Sequence, residues 1–447
     1  MAHLLLFDDS LPQLVATLTS LAGREFVDAG TALRDASGRL SFVADRAPID
    51  DGEREKLGRA LIESLGPYAR TDRPISFRGD GGTEPILAAP ERLPVRVGDQ
   101  FCHLLDRRIV GAGWLDAPMA GQAQPPRVVF ASLKGGVGRS TALAVAAADL
   151  ARRNRNILVV DLDLEAPGMG DLLLDASRTP EFGTIDYLVE NGIGGVPDSS
   201  LHAYIGSSGL TAAGGGRVDV LPALGRRSLI HPENVLPKLS RAVIEDVVND
   251  RVVSVAEQIS SMISRITERE QYDAVFIDSR AGLSELAAPA VLGLRATVLL
   301  FGTAQKQTIE GYRALFAALQ LLAQRDVAQK RDAEWRTMLR PVYAKASLDT
   351  AVSERFIDDM YELYSAHIYD AEESGEDTPE ALRFVRDDES APHWPLIVPF
   401  SQNFVDFDPA RIPDQLTQSF YEQTYRAFLS GLDIAMSSGE AASGSKA

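Results

Sequence analysis

Arg127-Val-Val-Phe-Ala-Ser-Leu-Lys-Gly-Gly-Val-Gly-Arg-Ser-Thr141 decides how the rest of the chain is read. Its opening Val-Val-Phe-Ala has the composition of a buried strand. Lys134 to Thr141 holds three glycines and ends on a cation and two hydroxyls. Glycines there let the backbone curl so that successive N–H groups aim at phosphate oxygens. The alanine-rich stretch Thr141 to Arg153 predicts a helix whose N-terminal dipole strengthens that anion site. The backbone of Gly135, Gly136, Val137 and Gly138 is then the cradle, and Arg139 its cation. Ser140 offers a hydroxyl to Mg2+ and Thr141 one to a phosphate.

Downstream, strands alternate with helices. Strands are expected at Ile157–Asp161, Arg217–Leu221, Ala274–Asp278, Thr297–Phe301, Leu339–Tyr343 and Leu396–Val398. Helices are expected at Thr308–Arg325 and, as one long periodic stretch, Leu236–Glu268. The fold class is therefore α/β, a mostly parallel sheet flanked by helices, with ligands at the carboxyl ends of its strands. Carboxylates gather at that edge. Asp161 and Asp163 stand two residues apart at the end of the second strand, and Asp278 ends the fourth. Glu165 follows close by. Arg280, in Asp278-Ser-Arg-Ala-Gly282, is open to three readings: a γ-phosphate sensor, a partner for an acid at a dimer interface, or a solvated arginine.

Three motifs, Lys134-Gly-Gly-Val-Gly-Arg-Ser-Thr141, Val159-Val-Asp-Leu-Asp163 and Asp273-Ala-Val-Phe-Ile-Asp278, carry a family likeness. Residues 127 to about 400 resemble the ParA/MinD-like P-loop ATPases with a deviant Walker A motif, and more narrowly their KGGVGR variant group. The resemblance implies a P-loop NTPase fold that binds ATP and Mg2+ and hydrolyses ATP to ADP and phosphate. It implies that Lys134 reaches across a nucleotide-sandwich homodimer and that Asp163 orients the attacking water. Asp161 would sit in the Mg2+ and Ser140 shell, and Asp278 would hold Mg2+ through water. The loop Gly302-Thr-Ala-Gln-Lys-Gln-Thr308 would lie beside the nucleotide, and Pro399-Phe400 near its base.

Two departures stand out. The wider family has lysine where Arg139 stands, and Thr-Pro where Ser279-Arg280 stands. A planar guanidinium holds phosphates well but is shaped unlike a compact ammonium for phosphoryl transfer. A slow dimerisation-switch ATPase that recruits protein partners and a catalytically weak nucleotide-binding scaffold therefore both remain open. A ParA-like ATPase that positions DNA or cargo is a third reading. The variant group also implies membership of a bacterial multi-component system, of which anti-phage defence is one kind.

The chain has 447 residues, 45 Lys plus Arg against 63 Asp plus Glu, and a net charge of −18. That balance disfavours a protein that coats nucleic acid or anionic membrane. The single cysteine, Cys102, excludes a disulfide scaffold or a cysteine-held metal cluster within one chain and fits a cytoplasmic location. The segment 347–390 carries 14 acidic and three basic residues. It is read as an acidic helical elaboration whose core, Asp370–Asp377, is a solvated loop or a surface for a basic partner.

Residues 1–118 mix short apolar runs with turns and carry no chemical motif. They are expected to form a small α+β accessory domain, with helices at Leu11–Ala22 and Asp51–Leu65 and strands at Leu40–Val43 and Arg108–Val110. A linker at 119–126 precedes the ATPase domain at 127–436, and the tail at 437–447 is expected to be disordered. Protein partners would dock on the accessory domain or the acidic segment. Arg152-Arg-Asn-Arg155 is read as helix-end cations rather than a DNA surface, and Tyr421 and Tyr425 as core. Gln418–Met436 has an apolar stripe but only one cation, Arg426, so no membrane helix is expected.

Overall fold

A computed structural model describes residues 5–119, 121–210, 215–248, 251–370 and 381–444. The chain divides into two compact units. One is Met1–Ala117 with Gln320–Asp332, and the other is Pro118–Leu319 with Ala333–Ala447.

The first unit is α+β. Its sheet holds β1 (Thr31–Arg34), β2 (Leu40–Ala44), β3 (Ile75–Phe77), β4 (Leu93–Val97) and β5 (Gln100–Asp106) in the order β3-β2-β1-β5-β4. The helices Phe7–Ala22 and Asp51–Leu65 bury Leu14, Leu18, Leu57 and Leu61 in a core shared with Phe42 and Phe77. Asp50 caps the second helix by accepting the Glu53 N–H at 2.7 Å. Arg108–Val110 is not a strand. The strand ends at Asp106, and Ile109 and Val110 are exposed, so they have no sheet face to fill. This unit also takes in Gln320–Asp332, a segment expected to lie wholly within the second. The buried Arg325 explains part of that. Its Nη1 donates to Leu115 O at 2.6 Å and its Nη2 to Asp116 O at 3.1 Å.

The second unit is built on an eight-stranded sheet. Its members are β6 (Arg127–Ser132), β7 (Ile157–Asp161), β8 (Gly206–Ser207), β9 (Val218–Leu221), β12 (Ala274–Ala281), β13 (Thr297–Gly302), β14 (Leu339–Ala346) and β15 (Leu396–Pro399). The hairpin strands β10 (Asp246–Val248) and β11 (Arg251–Val253) stand apart from it. The order is β15-β14-β13-β6-β12-β7-β9-β8, and every pairing is parallel except that of β8 with β9. All six residues of β6 and all five of β7 are buried, as strands covered on both faces must be. The carboxyl ends of these parallel strands share one edge.

Helix packing explains the composition. The helix Arg139–Arg152 is buried along nearly all its length, and its alanines let it approach the sheet closely. The helix Gln418–Gly444 places Tyr421, Tyr425, Phe428 and Leu432 in the same core, where the Phe428 ring lies 6.0 Å from that of Phe301. Its apolar stripe is therefore used up on the sheet. Both tyrosines are core, as expected.

Two further expectations are corrected. The periodic stretch 236–268 is not one helix. Helices Val235–Ala242 and Val255–Arg269 are separated by the β10–β11 hairpin, because Val247-Val248 and Val252-Val253 favour extended backbone. The tail is helical through Gly444 rather than disordered from 437; Glu440, Ala441 and Ala442 are good helix formers. Residues 371–380, most of the expected acidic loop, lie outside the described residues. No helix among the described residues is long and apolar enough to cross a membrane.

Candidate functional site

The turn after β6 builds the site. Gly136 and Gly138 have φ of +73° and +89°, a region that costs a side-chain-bearing residue energy. A Cβ at Gly135, Gly136 or Gly138 would meet no atom within 4 Å, so space is not the constraint. At Gly136 and Gly138 it is conformation, which turns the backbone directly into the helix starting at Arg139. Lys134 lies exposed beside this loop, and its Nζ donates to Gln305 Oε1 at 3.3 Å.

Arg139 does not project into solvent. It is 8 % exposed and reaches down between two carboxylates. Nη2 donates to Asp163 Oδ2 at 2.9 Å. Nε lies 2.6 Å from Asp278 Oδ1, in a contact too poorly aligned to be a directed hydrogen bond. Nη1 is buried without a hydrogen-bond partner. Burial works against the guanidinium's charge, but Asp278 and Asp163 outweigh it, so Arg139 holds its proton more tightly than usual. Ser140 Oγ donates to the other Asp278 oxygen, Oδ2, at 2.7 Å. Burial pushes Asp278 upward, opposed by the charge of Arg139.

Asp161 sits differently from expectation. Its Oδ1 accepts the Asp163 N–H at 3.0 Å, and its Oδ2 accepts those of Gly168 and Met169 at 3.1 and 3.0 Å. Ser140 bonds to Asp278, not to Asp161. Asp161 therefore folds the 162–169 loop back onto the strand end. Burial, with the charge of Asp278, pushes its carboxyl up to about 7. β7 itself stops at Asp161, so strand alternation does not carry on to Asp163.

Glu165 pairs with Arg280 across the ends of β7 and β12. Of the three readings of Arg280, the structure displays an ion pair, made within the chain. Sequence reasoning missed this pair, and also Gln305 as the partner of Lys134; the turn residues carrying both are ordinary polar positions.

A cavity of about 270 Å³ opens beside the phosphate loop. Gly136, Gly138 and Thr141 line one side of it, and Phe400, Phe404 and Tyr425 another. No group of three or more His, Cys, Asp or Glu among the described residues is arranged to hold a metal ion by itself. A hard cation bound with phosphate needs only one or two protein oxygens. Ser140 Oγ and the buried Asp278 carboxylate, whose Oδ1 is paired with Arg139 in this structure, are the protein oxygens that could supply it.

The basic stretch at the end of the helix is not a free cationic surface. Arg152 and Arg153 pair with Asp149, Arg153 also with Asp433, and Arg155 with Asp273.

No protein-family model matches the chain, and no curated protein matches it. Solved structures do show likeness. A plasmid partition protein from Borrelia burgdorferi is 15 % identical, with 67 % of this chain and 99 % of that chain covered and a TM-score of 0.36. The MinD cell division protein of Aquifex aeolicus is 15 % identical, covering 69 % and 96 %, with a TM-score of 0.41. The McdA of Cyanothece is 14 % identical, covering 70 % and 99 %, with a TM-score of 0.41. The fold assignment rests on strand order and on the loop after β6, not on these likenesses.

Proposed function

We propose that the chain is a Mg-ATP-binding ATPase that works as a dimerisation switch and recruits protein partners. The observation that carries this reading is the constellation at one sheet edge: a phosphate loop, Ser140 bonded to Asp278, and Arg139 held between Asp278 and Asp163. The N–H groups of residues 135–138 and the helix N-terminus bind the phosphates. Lys134 and Arg139 supply positive charge to them, and Lys134 contributes across a homodimer. Thr141 adds a hydroxyl to the phosphate contacts. Asp278 and Ser140 hold Mg2+, which when bound neutralises charge on the phosphates. Asp163 orients water in line with the γ-phosphate once Arg139 turns from it to the nucleotide. Arg280 senses the γ-phosphate by exchanging Glu165 for it.

A second reading is a non-hydrolysing scaffold. It is favoured by the two carboxylates that Arg139 engages, since an arginine that stays there keeps Asp163 from water. A DNA-positioning role is disfavoured by the carboxylate partners of Arg152, Arg153 and Arg155. We place the partner surface on the N-terminal unit or the acidic segment, and the protein in a bacterial multi-component system, anti-phage defence being one candidate process.

Steady-state phosphate release separates the first two readings. Turnover by the native chain that Asp163→Ala abolishes supports the enzyme; equal rates at background sink it. Light scattering tests the switch: a mass that rises with ATP, and does not rise in Lys134→Ala, is expected.

A further inference from the structure

Arg127 opens β6 at the amino edge of the sheet, and the phosphate loop follows the opposite end of the same strand. Its side chain is 6 % exposed, yet among the described residues it makes no ion pair. Nη1 donates to Ser260 Oγ at 3.0 Å and to Leu294 O at 3.4 Å, and Nη2 donates to Ser264 Oγ at 3.0 Å. Nε is buried without a hydrogen-bond partner. All three acceptors are neutral oxygens. The charge that acts on Arg127 is that of a second cation, Arg295. Burial and this like charge push the guanidinium down to about 10, and no carboxylate opposes them. Buried charges are normally paired, as Arg139 is. Arg127 lacks its counter-ion.

The groups around it leave room for one in their hydrogen bonding. Ser260 and Ser264 stand four residues apart on the helix Val255–Arg269, hence on one face. Each hydroxyl oxygen accepts from Arg127, so its own proton must point elsewhere. Among the described residues neither hydroxyl donates a hydrogen bond. Arg295 is exposed, and among the described residues its side chain has no ion pair and no hydrogen bond. Its φ is +50°, a region that a Cβ disfavours. Neighbouring backbone holds the turn in place: Met119 N–H donates to Leu292 O at 2.8 Å and Ala123 N–H to Arg295 O at 3.2 Å. Backbone that costs energy to hold thus presents a free cation beside a buried, uncompensated one.

We propose that Arg127, Arg295, Ser260 and Ser264 form an anion site, separate from the phosphate loop, that takes a phosphate group, free or as a monoester. Charge selects the class. Two guanidiniums with no carboxylate between them match a group that carries nearly two negative charges near neutral pH, whereas a carboxylate carries one. Arg295 meets the phosphate oxygens from the solvent side, and the two serine hydroxyls donate to them. Arg127 lies behind the serines and polarises the O–H groups that it donates to. The six residues of β6 set this site about 20 Å from the phosphate loop, so the two sites do not share one phosphate.

Calorimetric titration of the full chain with inorganic phosphate tests this, at constant ionic strength and with a non-hydrolysable ATP analogue in excess to occupy the phosphate loop. Binding of one phosphate per chain is expected. Arg295→Gly suits the backbone, so its thermal midpoint should be no lower than that of the native chain. It should bind phosphate about tenfold more weakly, in line with one lost charge-assisted contact. Arg295→Lys keeps the charge and should retain most of the affinity. Acetate, a monoanion, should not displace phosphate. Phosphoserine tells the sources apart: binding at least as tight as that of phosphate supports a monoester on a larger molecule, and weaker binding supports the free ion. No phosphate bound by the native chain, equal affinity in Arg295→Gly, or displacement by acetate would each overturn the assignment. Failure of the ATP analogue to bind would instead count against the phosphate-loop reading, and the comparison of Arg295→Gly with the native chain would still decide this one.

Discussion

Arg139→Met replaces a buried guanidinium by an uncharged chain of similar length. The native residue is 8 % exposed and compensates Asp163 and Asp278, which are 6 % and 1 % exposed. Removing one partner of a buried ion pair costs about 3–5 kcal/mol, because the remaining charge has no partner and no water. Two carboxylates are left here, so the expected loss at pH 8 lies in the upper half of that range. Asp278 responds by taking up a proton. Burial already pushes Asp278 upward against the charge of Arg139, and that restraint is gone in the variant. A group whose folded-state pKa is raised loses its contribution as pH rises through the folded value. Each proton taken up on folding changes stability by about 1.4 kcal/mol per pH unit. The variant should therefore recover about 2–3 kcal/mol, relative to the native chain, between pH 8 and pH 6. Urea unfolding of both proteins at pH 6, 7 and 8 measures this. The triple variant R139M/D163N/D278N, which removes the charges together, should regain most of the loss. A deficit under about 1 kcal/mol at pH 8, or one that ignores pH, would refute the reasoning.

Three other perturbations have expected outcomes. Asp161 is pushed up to about 7, so its contribution is present in acid and lost as pH rises through that value; Asp161→Asn should flatten the stability profile between pH 5 and 7, measured by thermal unfolding across buffers. Glu165→Ala removes the intrachain partner of Arg280, and ATP affinity measured by calorimetry should rise a few-fold if Arg280 is then free for phosphate. Phe428→Ala empties a fully buried site against Phe130 and Phe301, at a cost of about 3–5 kcal/mol in urea unfolding with the mutated helix still present by circular dichroism.

What could be read in advance follows from range in the chain. β6, β7, β12 and β13 are runs of apolar residues buried on both faces, and such runs announce themselves locally. The phosphate loop is equally local, since strand, glycines and helix are contiguous. The pair of strands at 246–248 and 251–253 is hidden by the helical spacing on either side of it. The arrangement of Arg139 depends on Asp163 and Asp278, which come from the ends of two other strands. Nothing local to Arg139 says that it turns inward to them. Asp161 shows the same limit. Spacing makes it a twin of Asp163, but the Asp163 N–H together with the fold-back at Gly168 and Met169 gives it three backbone donors.

The central claim is that the turn after β6 binds a nucleotide through its backbone. Calorimetric titration of the native chain and of Gly138→Ala with ATP and Mg2+ tests it most directly. At φ +89° an alanine is strained and must shift the turn. Saturable binding at one site per chain, lost or weakened at least tenfold in the variant while its fold persists by circular dichroism, is the predicted result. No binding to the native chain, or equal affinity in both proteins, would contradict the account.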